Sequence, residues 1–260
     1  MRSEPLSHAE CVVRIIEQRG AIDPLLEAPC VRTAIFKMDW LHASDQGISA
    51  DFVGNVFKQL VQHMPGDTKE EQYNALYLQL KAWYEEFGIE DRMDAIKPSF
   101  VEHRQGHKLR TSAAKLRALV PFVARLCDEL CDPDDPVEDA MHKAAHHLAN
   151  CYDALSSSCD DNTAQLATNG LKFARQYIAL HDYLNPDDDE LFRLKPKLHF
   201  FLHLCLDGGD PAKHWCYRDE GFGGTVAKIA HRRGGIATPT ATSEQVVKGL
   251  ALGTPRISIR

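Results

Sequence analysis

Asp39 and His42 stand three positions apart in the segment KMDWLHASDQGI, residues 37–48. On a helix this spacing puts a carboxylate and an imidazole on the same face, where they can form a hydrogen-bonded pair. Such a pair can support a catalytic site, but a polar residue that caps the first turn of a helix gives the same pattern. The residues alone leave both alternatives open.

His199 and His203 form a second candidate pair, directly after the sequence Lys195-Pro-Lys197. On a helix their imidazoles lie one turn apart and could share a metal ion, a carboxylate or a phosphate. The sequence lacks the glutamate of the zinc-protease motif His-Glu-x-x-His, which excludes that chemistry. In isolation the pair is typical of partly buried structural histidines.

Cys127, Cys131, His142 and His146 have nearly the spacing of a Cys₂His₂ zinc site. The cysteines end one predicted helix and the histidines lie on the next, but the separation between the two pairs is shorter than in zinc fingers. Cysteines in a core and histidines at the surface explain the same pattern. We favour this interpretation and keep a zinc-stapled helical hairpin as an alternative.

Asp219 and Glu220 begin a predicted helix that follows Trp215. An acidic pair at a helix N-terminus usually only complements the helix dipole. The same C-terminal third carries the basic residues that could contact a polyanion, which are Lys195, Lys197, His199, His203, Lys228, Arg232 and Arg233.

The elements that must position these residues are mostly helices. Apolar residues recur at helical spacing over residues 51–64, 69–87, 111–131, 137–155 and 163–184. Gly88 is predicted to end the second of these helices, and Pro121 to kink or divide the third. Only residues 33–40, TAIFKMDW, alternate like a strand. We expect residues 111–184 to form an antiparallel helical bundle.

The composition is that of a folded protein with a buried core, with 44% hydrophobic and 26% charged residues in a chain of 260. The N-terminal segment resembles neither a signal peptide nor a membrane anchor, and no apolar run is long enough to span a bilayer. The eight scattered cysteines indicate reduced thiols. We expect a nuclear or cytoplasmic protein that is neither secreted nor bound to a membrane.

Charge is distributed unevenly along the chain. Residues 128–190 contain 15 acidic and 3 basic residues, a net charge of −12, whereas residues 191–260 contain 11 basic and 5 acidic residues, a net charge of +6. The basic third could bind a polyanion such as DNA, and the acidic middle could not. On charge alone, two solvated faces without a partner are the simpler interpretation.

Three motifs, in their order, resemble the later part of the catalytic region of eukaryotic cut-and-paste DNA transposases, especially the CACTA-type group. The motifs are Asp39-x-x-His42-x4-Gly47, Lys195-Pro-Lys-x-His199-x3-His203, and Trp215 followed by Glu220-x-Phe222-x-Gly224. Each motif is weakly specific, but the shared order and the helical stretch between them extend the resemblance over residues 31–234.

The resemblance implies an RNase H-like core, a long helical insertion and a last helix with a catalytic glutamate. It implies phosphodiester cleavage and strand transfer with two Mg²⁺ ions, for which Glu220, or Asp219 in its place, would be a catalytic ligand. Asp39 and His42 would not bind the metal ions themselves but would form a hydrogen-bonded pair that supports the fold or contacts DNA near the site. The implied division is 1–64 for the core remnant, 65–192 for the insertion, 193–234 for the catalytic-type helices and 235–260 for a flexible tail.

The chain departs from this family at the metal site. The two catalytic aspartates expected before Asp39 are missing, because Asp23 is the only aspartate there and no strand pattern surrounds it. Gly221 also stands where the family tends to have arginine. We therefore expect a truncated or domesticated derivative that is not catalytically competent alone and retains residual non-specific DNA binding. Its predicted fold is mainly α, a helical bundle attached to a remnant of an RNase H-like α/β core with few short strands.

The alternative function is a helical protein-interaction module that does not bind DNA. The acidic middle and the net charge of −7 favour this alternative. The sequence indicates no cofactor other than Mg²⁺ and does not indicate an oligomeric state.

Overall fold

The computed structural model describes residues 7–21, 26, 37–103, 106–156, 162–184, 191–206, 209–213, 215–232, 243 and 247–248, with backbone only at 8, 218–220 and 228–232. The chain divides into two compact units, Met1–His214 and Trp215–Arg260. The first unit therefore contains residues from three of the four predicted segments, including the segment that carries Lys195 and Lys197.

The described part of the chain is helical and contains no strand, which confirms the mainly α class. The α-helices are α1 (His8–Arg19), α2 (Ser49–Leu60), α3 (Lys69–Phe87), α4 (Pro98–Val101), α5 (Ala113–Leu130), α6 (Pro136–Ser156), α7 (Asn162–Leu184), α8 (Pro196–Leu206) and α9 (Tyr217–Arg232). A π-helix, Leu41–Ile48, leads into α2, and 3₁₀-helices cover Val61–His63 and Pro211–Lys213. None of the helices within the described residues is both long and apolar enough to cross a membrane.

Local sequence signals set the ends of the central helices. A capping box of Thr68 and Glu71 begins α3, and the helix ends at Gly88 as predicted. The Ser112 side chain caps α5, which continues through Pro121 without a break. Pro121 therefore does not divide this helix. Asp135 Oδ1 accepts hydrogen bonds from two backbone N–H groups of the first turn of α6.

Helices α5, α6 and α7 pack in sequence order within the predicted bundle. The short turn between Leu130 and Pro136 reverses the chain, so that α5 and α6 are antiparallel neighbours. Helix α6 packs chiefly against α7, and α7 also packs against α8. The π-helix contacts α2, α5 and α8, so it lies among helices from well-separated parts of the chain.

The predicted strand is wrong in its described part. Residues 37–39 lie outside any helix, and Trp40 is already helical, whereas residues 33–36 lie outside the described residues. Trp40 is fully buried and packs on the rings of Tyr152 and Phe201. The alternation of large and polar residues that predicted a strand ends in Trp40, whose ring is buried at the start of a helix. An alternating pattern this short does not distinguish a strand from such a helix entrance.

Glu102, which follows α4, connects α2 and α3 through a small polar network. Its carboxylate lies 3.2 Å from Lys58 Nζ and 3.0 Å from Lys69 Nζ, and it accepts a hydrogen bond from the Tyr73 hydroxyl. Burial acts to raise the pKa of Glu102, but the two lysines outweigh it and hold the pKa below its usual value of 4.5.

Replacing Glu102 with glutamine should lower the free energy of unfolding by about 1 kcal/mol at neutral pH. Because the folded-state pKa lies below the unfolded one, this contribution is fully present above pH 4.5 and disappears as the pH falls through the folded-state pKa. Urea unfolding of both proteins over a pH series measures the difference. A difference that stays constant into acid would contradict the ion-pair explanation.

Candidate functional site

Asp39 lies at the entrance of the π-helix. Its Oδ2 accepts a hydrogen bond from the His42 backbone N–H (2.8 Å) and lies 2.7 Å from His42 Nδ1. The side chain of Asp39 is 19% exposed and that of His42 is 51% exposed. The pair thus caps the first helical turn, as one of the two alternatives predicted, and presents a half-exposed imidazole beside it.

Lys197, near the start of α8, donates hydrogen bonds to the backbone of the π-helix. Its Nζ donates to the carbonyl oxygens of His42 (2.9 Å) and Gln46 (3.2 Å). A Cβ at Gly47 would lie 2.7 Å from Lys197 Cδ and 2.8 Å from the His42 carbonyl oxygen. Glycine fits position 47 because any larger residue would have to displace both the Lys197 side chain and the His42 carbonyl oxygen. The backbone of Gly47 departs from helical angles (φ −114°, ψ −114°), which kinks the helix directly after the Gln46 carbonyl.

Lys108 and Lys195 complete a group that we call the lysine cluster, defined as Lys108, Lys195 and Lys197. Lys108 Nζ donates to the Gln46 carbonyl oxygen at 2.6 Å, the same oxygen that Lys197 contacts. The two ammonium groups are therefore at most about 6 Å apart, a distance at which like charges near a protein surface repel by roughly 3 kcal/mol. Lys195 Nζ pairs with the buried Asp51 carboxylate at 2.9 Å.

The pKa of Lys108 lies below its usual value, chiefly because of burial. Burial lowers the pKa of Lys108, and the Asp51 carboxylate partly offsets that effect. The neighbouring charges of Lys197 and Lys195 lower the pKa further. An anion close to the lysine cluster would stabilise all three ammonium groups.

Asn55 of α2 holds together the two chain segments that carry the lysine cluster. Its Nδ2 donates to the His107 carbonyl oxygen (3.2 Å), and its Oδ1 accepts from the Phe192 N–H (3.0 Å). Asn55 is almost fully buried. Its side chain therefore ties the segment before Lys108 and the segment before Lys195 to the same helix.

Gly54 allows the segment of Lys108 to lie directly on α2. The Leu109 N–H donates to the Ala50 carbonyl oxygen at 2.9 Å. A Cβ at Gly54 would lie 2.5 Å from Leu109 N and 2.6 Å from Lys108 Cα. This close approach of two backbones sets the position of Lys108.

A buried polar network fixes the π-helix to α6. The Tyr152 hydroxyl donates to the Asp45 carboxylate and contacts the hydroxyls of Ser49 (3.0 Å) and Ser44 (3.3 Å). Burial raises the pKa of Tyr152 well above its usual value, and Asp45 raises it further. All four side chains are buried. The network therefore holds the π-helix, which contributes to the candidate site, in place against α6.

The structure brings together only part of the predicted site. Asp39, His42 and Lys197 meet at the π-helix, whereas Lys195 pairs with Asp51 of α2. His199 and His203 lie on α8 with their Nε2 atoms 3.1 Å apart. Asp219, Glu220, Lys228 and Arg232 belong to α9 in the second unit, whereas Arg233 and Asp23 lie outside the described residues. The proposed relation of Glu220 to Asp39 stays a prediction.

The four residues of the zinc alternative do not form a single group. His142 and His146 converge on Asp128, and one candidate ligand atom from each of these three residues lies within 4.8 Å of the other two. Cys127 is buried within α5, as the interpretation without zinc predicted for it. Sequence analysis missed both Asp128 and Lys108. Asp128 meets its histidines only through the packing of α5 on α6, and Lys108 meets the Gln46 carbonyl across 62 residues of chain.

No match is found when the chain is compared with protein-family models, with curated proteins or with solved structures. The geometry of the described residues and the sequence motifs are therefore the basis for assigning a function.

Proposed function

We propose that the chain is a transposase-derived protein that is not catalytically competent alone and binds duplex DNA weakly, without sequence preference. The observation that carries the proposal is the lysine cluster, in which three ammonium groups converge on two backbone carbonyls and one buried carboxylate.

The charges of the lysine cluster favour a polyanion over a single small anion. The Gln46 carbonyl that Lys108 and Lys197 share is neutral, so it cancels neither charge. The Asp51 carboxylate is 3% exposed and pairs with Lys195, which leaves a net positive surface. Duplex DNA carries one negative charge for every ~1.7 Å of its axis, and phosphate contacts release condensed counterions. Such contacts would also reduce the repulsion between Lys108 and Lys197.

The proposed descent assigns a role to each group of helices. The π-helix and α2, with Asp39 and His42, correspond to the remnant of the RNase H-like core, and α5 to α7 correspond to the helical insertion. Helix α9 corresponds to the last catalytic helix, with Glu220 as its carboxylate. The donor set does not fit two Mg²⁺ ions, because these require several carboxylate oxygens and the sequence lacks the two upstream aspartates.

Titration of a labelled duplex of random sequence into the full chain tests this proposal. We expect binding at low salt that weakens steeply as salt rises, with little difference between sequences. Absence of binding at low salt would overturn the proposal and leave the helical interaction module, which the acidic segment 128–190 favours.

Glu220→Gln separates DNA binding from catalysis. The variant should bind DNA as well as the wild type or slightly better, because a carboxylate near phosphates repels them when no cation intervenes. Neither protein should nick DNA in the presence of Mg²⁺. Nicking by the wild type that the substitution abolishes would show that the chain is catalytically competent.

A further inference from the structure

Asp128, His142 and His146 form a compact polar group between two antiparallel helices. His142 Nε2 and His146 Nε2 each lie 2.7 Å from the same carboxylate oxygen, Asp128 Oδ1. The histidines are four residues apart on α6, and Asp128 stands on α5. The group therefore links the two helices of the hairpin through three side chains.

The three candidate ligand atoms lie close enough together to share one metal ion. All lie within 4.8 Å of one another, and the two imidazole rings are 4.7 Å apart with an angle of 59° between their planes. A tetrahedral Zn²⁺ site with bonds of about 2.0–2.1 Å spaces its ligand atoms about 3.3 Å apart. Small rotations of the partly exposed imidazoles open the present hydrogen-bonded arrangement to that spacing.

The surroundings favour a cation with an incomplete protein ligand set. Asp128 and His142 line a cavity of about 180 Å³ together with Cys127, Cys131, Pro133 and Asp139. Open coordination positions can therefore face a space that holds water or a small ligand. Residues 128–139, which lead from Asp128 into α6, contain seven acidic and no basic residues, and this excess of negative charge attracts a divalent ion.

We propose that Asp128, His142 and His146 bind one Zn²⁺ ion. Two imidazole nitrogens and one carboxylate oxygen are a ligand set that Zn²⁺ accepts, with water in the remaining position. The ion replaces the hydrogen bonds between Asp128 and the histidines and connects α5 to α6. Neither Cys127 nor Cys131 takes part, which distinguishes this site from a Cys₂His₂ site.

The experiment uses the untagged full chain, stripped of metal by a chelator and titrated calorimetrically with ZnCl₂. We expect one equivalent of Zn²⁺ to bind. His142→Ala and His146→Ala should weaken binding more than about 100-fold, because even residues that only orient metal ligands contribute 10- to 100-fold to affinity. All three ligand side chains are at least 39% exposed, so the variants should fold, and circular dichroism confirms it.

Two control variants decide which residues hold the ion. His199→Ala/His203→Ala removes another histidine pair at the same spacing, on α8 instead of α6, and it should leave Zn²⁺ binding unchanged. Cys131→Ser should also leave it unchanged, and the Co²⁺-loaded protein should lack the intense thiolate charge-transfer band.

Three results would overturn the proposal. These are no stoichiometric Zn²⁺ binding by the wild type, loss of binding in the His199/His203 variant with retention in His142→Ala, and a thiolate band that Cys131→Ser removes. Asp128→Asn provides a further discrimination, since it keeps the side chain's size while removing its charge and should weaken Zn²⁺ binding.

Discussion

Replacing Gly54 with alanine should lower the free energy of unfolding of the first unit by about 3 kcal/mol. The added Cβ would stand 2.5 Å from Leu109 N and 2.6 Å from Lys108 Cα. Both are backbone atoms of one segment, so no side-chain rotation relieves the contact. The segment must move away from α2, which stretches the hydrogen bond from the Leu109 N–H to the Ala50 carbonyl.

Urea unfolding followed by circular dichroism measures this effect. Gly221→Ala is the matched control, because Gly221 is also helical and a Cβ there meets nothing within 4 Å. The control should leave the main transition unchanged. Equal stability of the Gly54 variant and the wild type would show that the segment of Lys108 does not lie against α2 as described.

Replacing Asn55 with alanine should lower the free energy of unfolding by about 3 kcal/mol, because each buried polar group that loses its hydrogen-bond partner costs roughly 1–3 kcal/mol. The Phe192 N–H would lose its acceptor Oδ1, and the His107 carbonyl would lose its donor Nδ2. These two groups belong to the segments that carry the lysine cluster. The substitution should therefore also weaken any anion binding by the lysine cluster.

Hydrogen exchange and urea unfolding together test the Asn55 prediction. The amide of Phe192 should exchange markedly faster in the variant than in the wild type, while amides within α3 change little. Asn74→Ala, at an exposed position of α3, is the control and should change stability by less than about 0.5 kcal/mol. Unchanged protection at Phe192 in the Asn55 variant would contradict the proposed role of this side chain.

The helices were predictable because the apolar spacing and the capping residues that define each one lie within its own segment of the sequence. Thr68 and Gly88 mark the two ends of α3, and the apolar stripe between them needs no information from elsewhere in the chain. The strand prediction at 33–40 failed in its described part for the opposite reason. A pattern of eight residues is too short to distinguish a strand from a helix entrance that buries Trp40.

The candidate site was predictable only where its motif is contiguous. Asp39, His42 and Gly47 could be singled out together, but their link to Lys197 spans about 150 residues. Lys108 has no motif at all. The available signal was Gly54 and Asn55 inside an otherwise apolar helix, because a small and a polar residue at such positions indicate a close backbone approach and a buried hydrogen-bonding partner.

The salt dependence of DNA binding by a lysine-cluster variant tests the central claim most directly. Lys108→Gln/Lys197→Gln replaces two charged side chains near the Gln46 carbonyl with neutral polar ones, and Lys81→Gln removes an exposed charge from α3 as the control. The account predicts that the slope of log affinity against log salt falls by about 0.9 for each lysine that contacts a phosphate. The control slope should equal that of the wild type. Equal slopes for all three folded proteins would contradict the assignment of the lysine cluster to DNA.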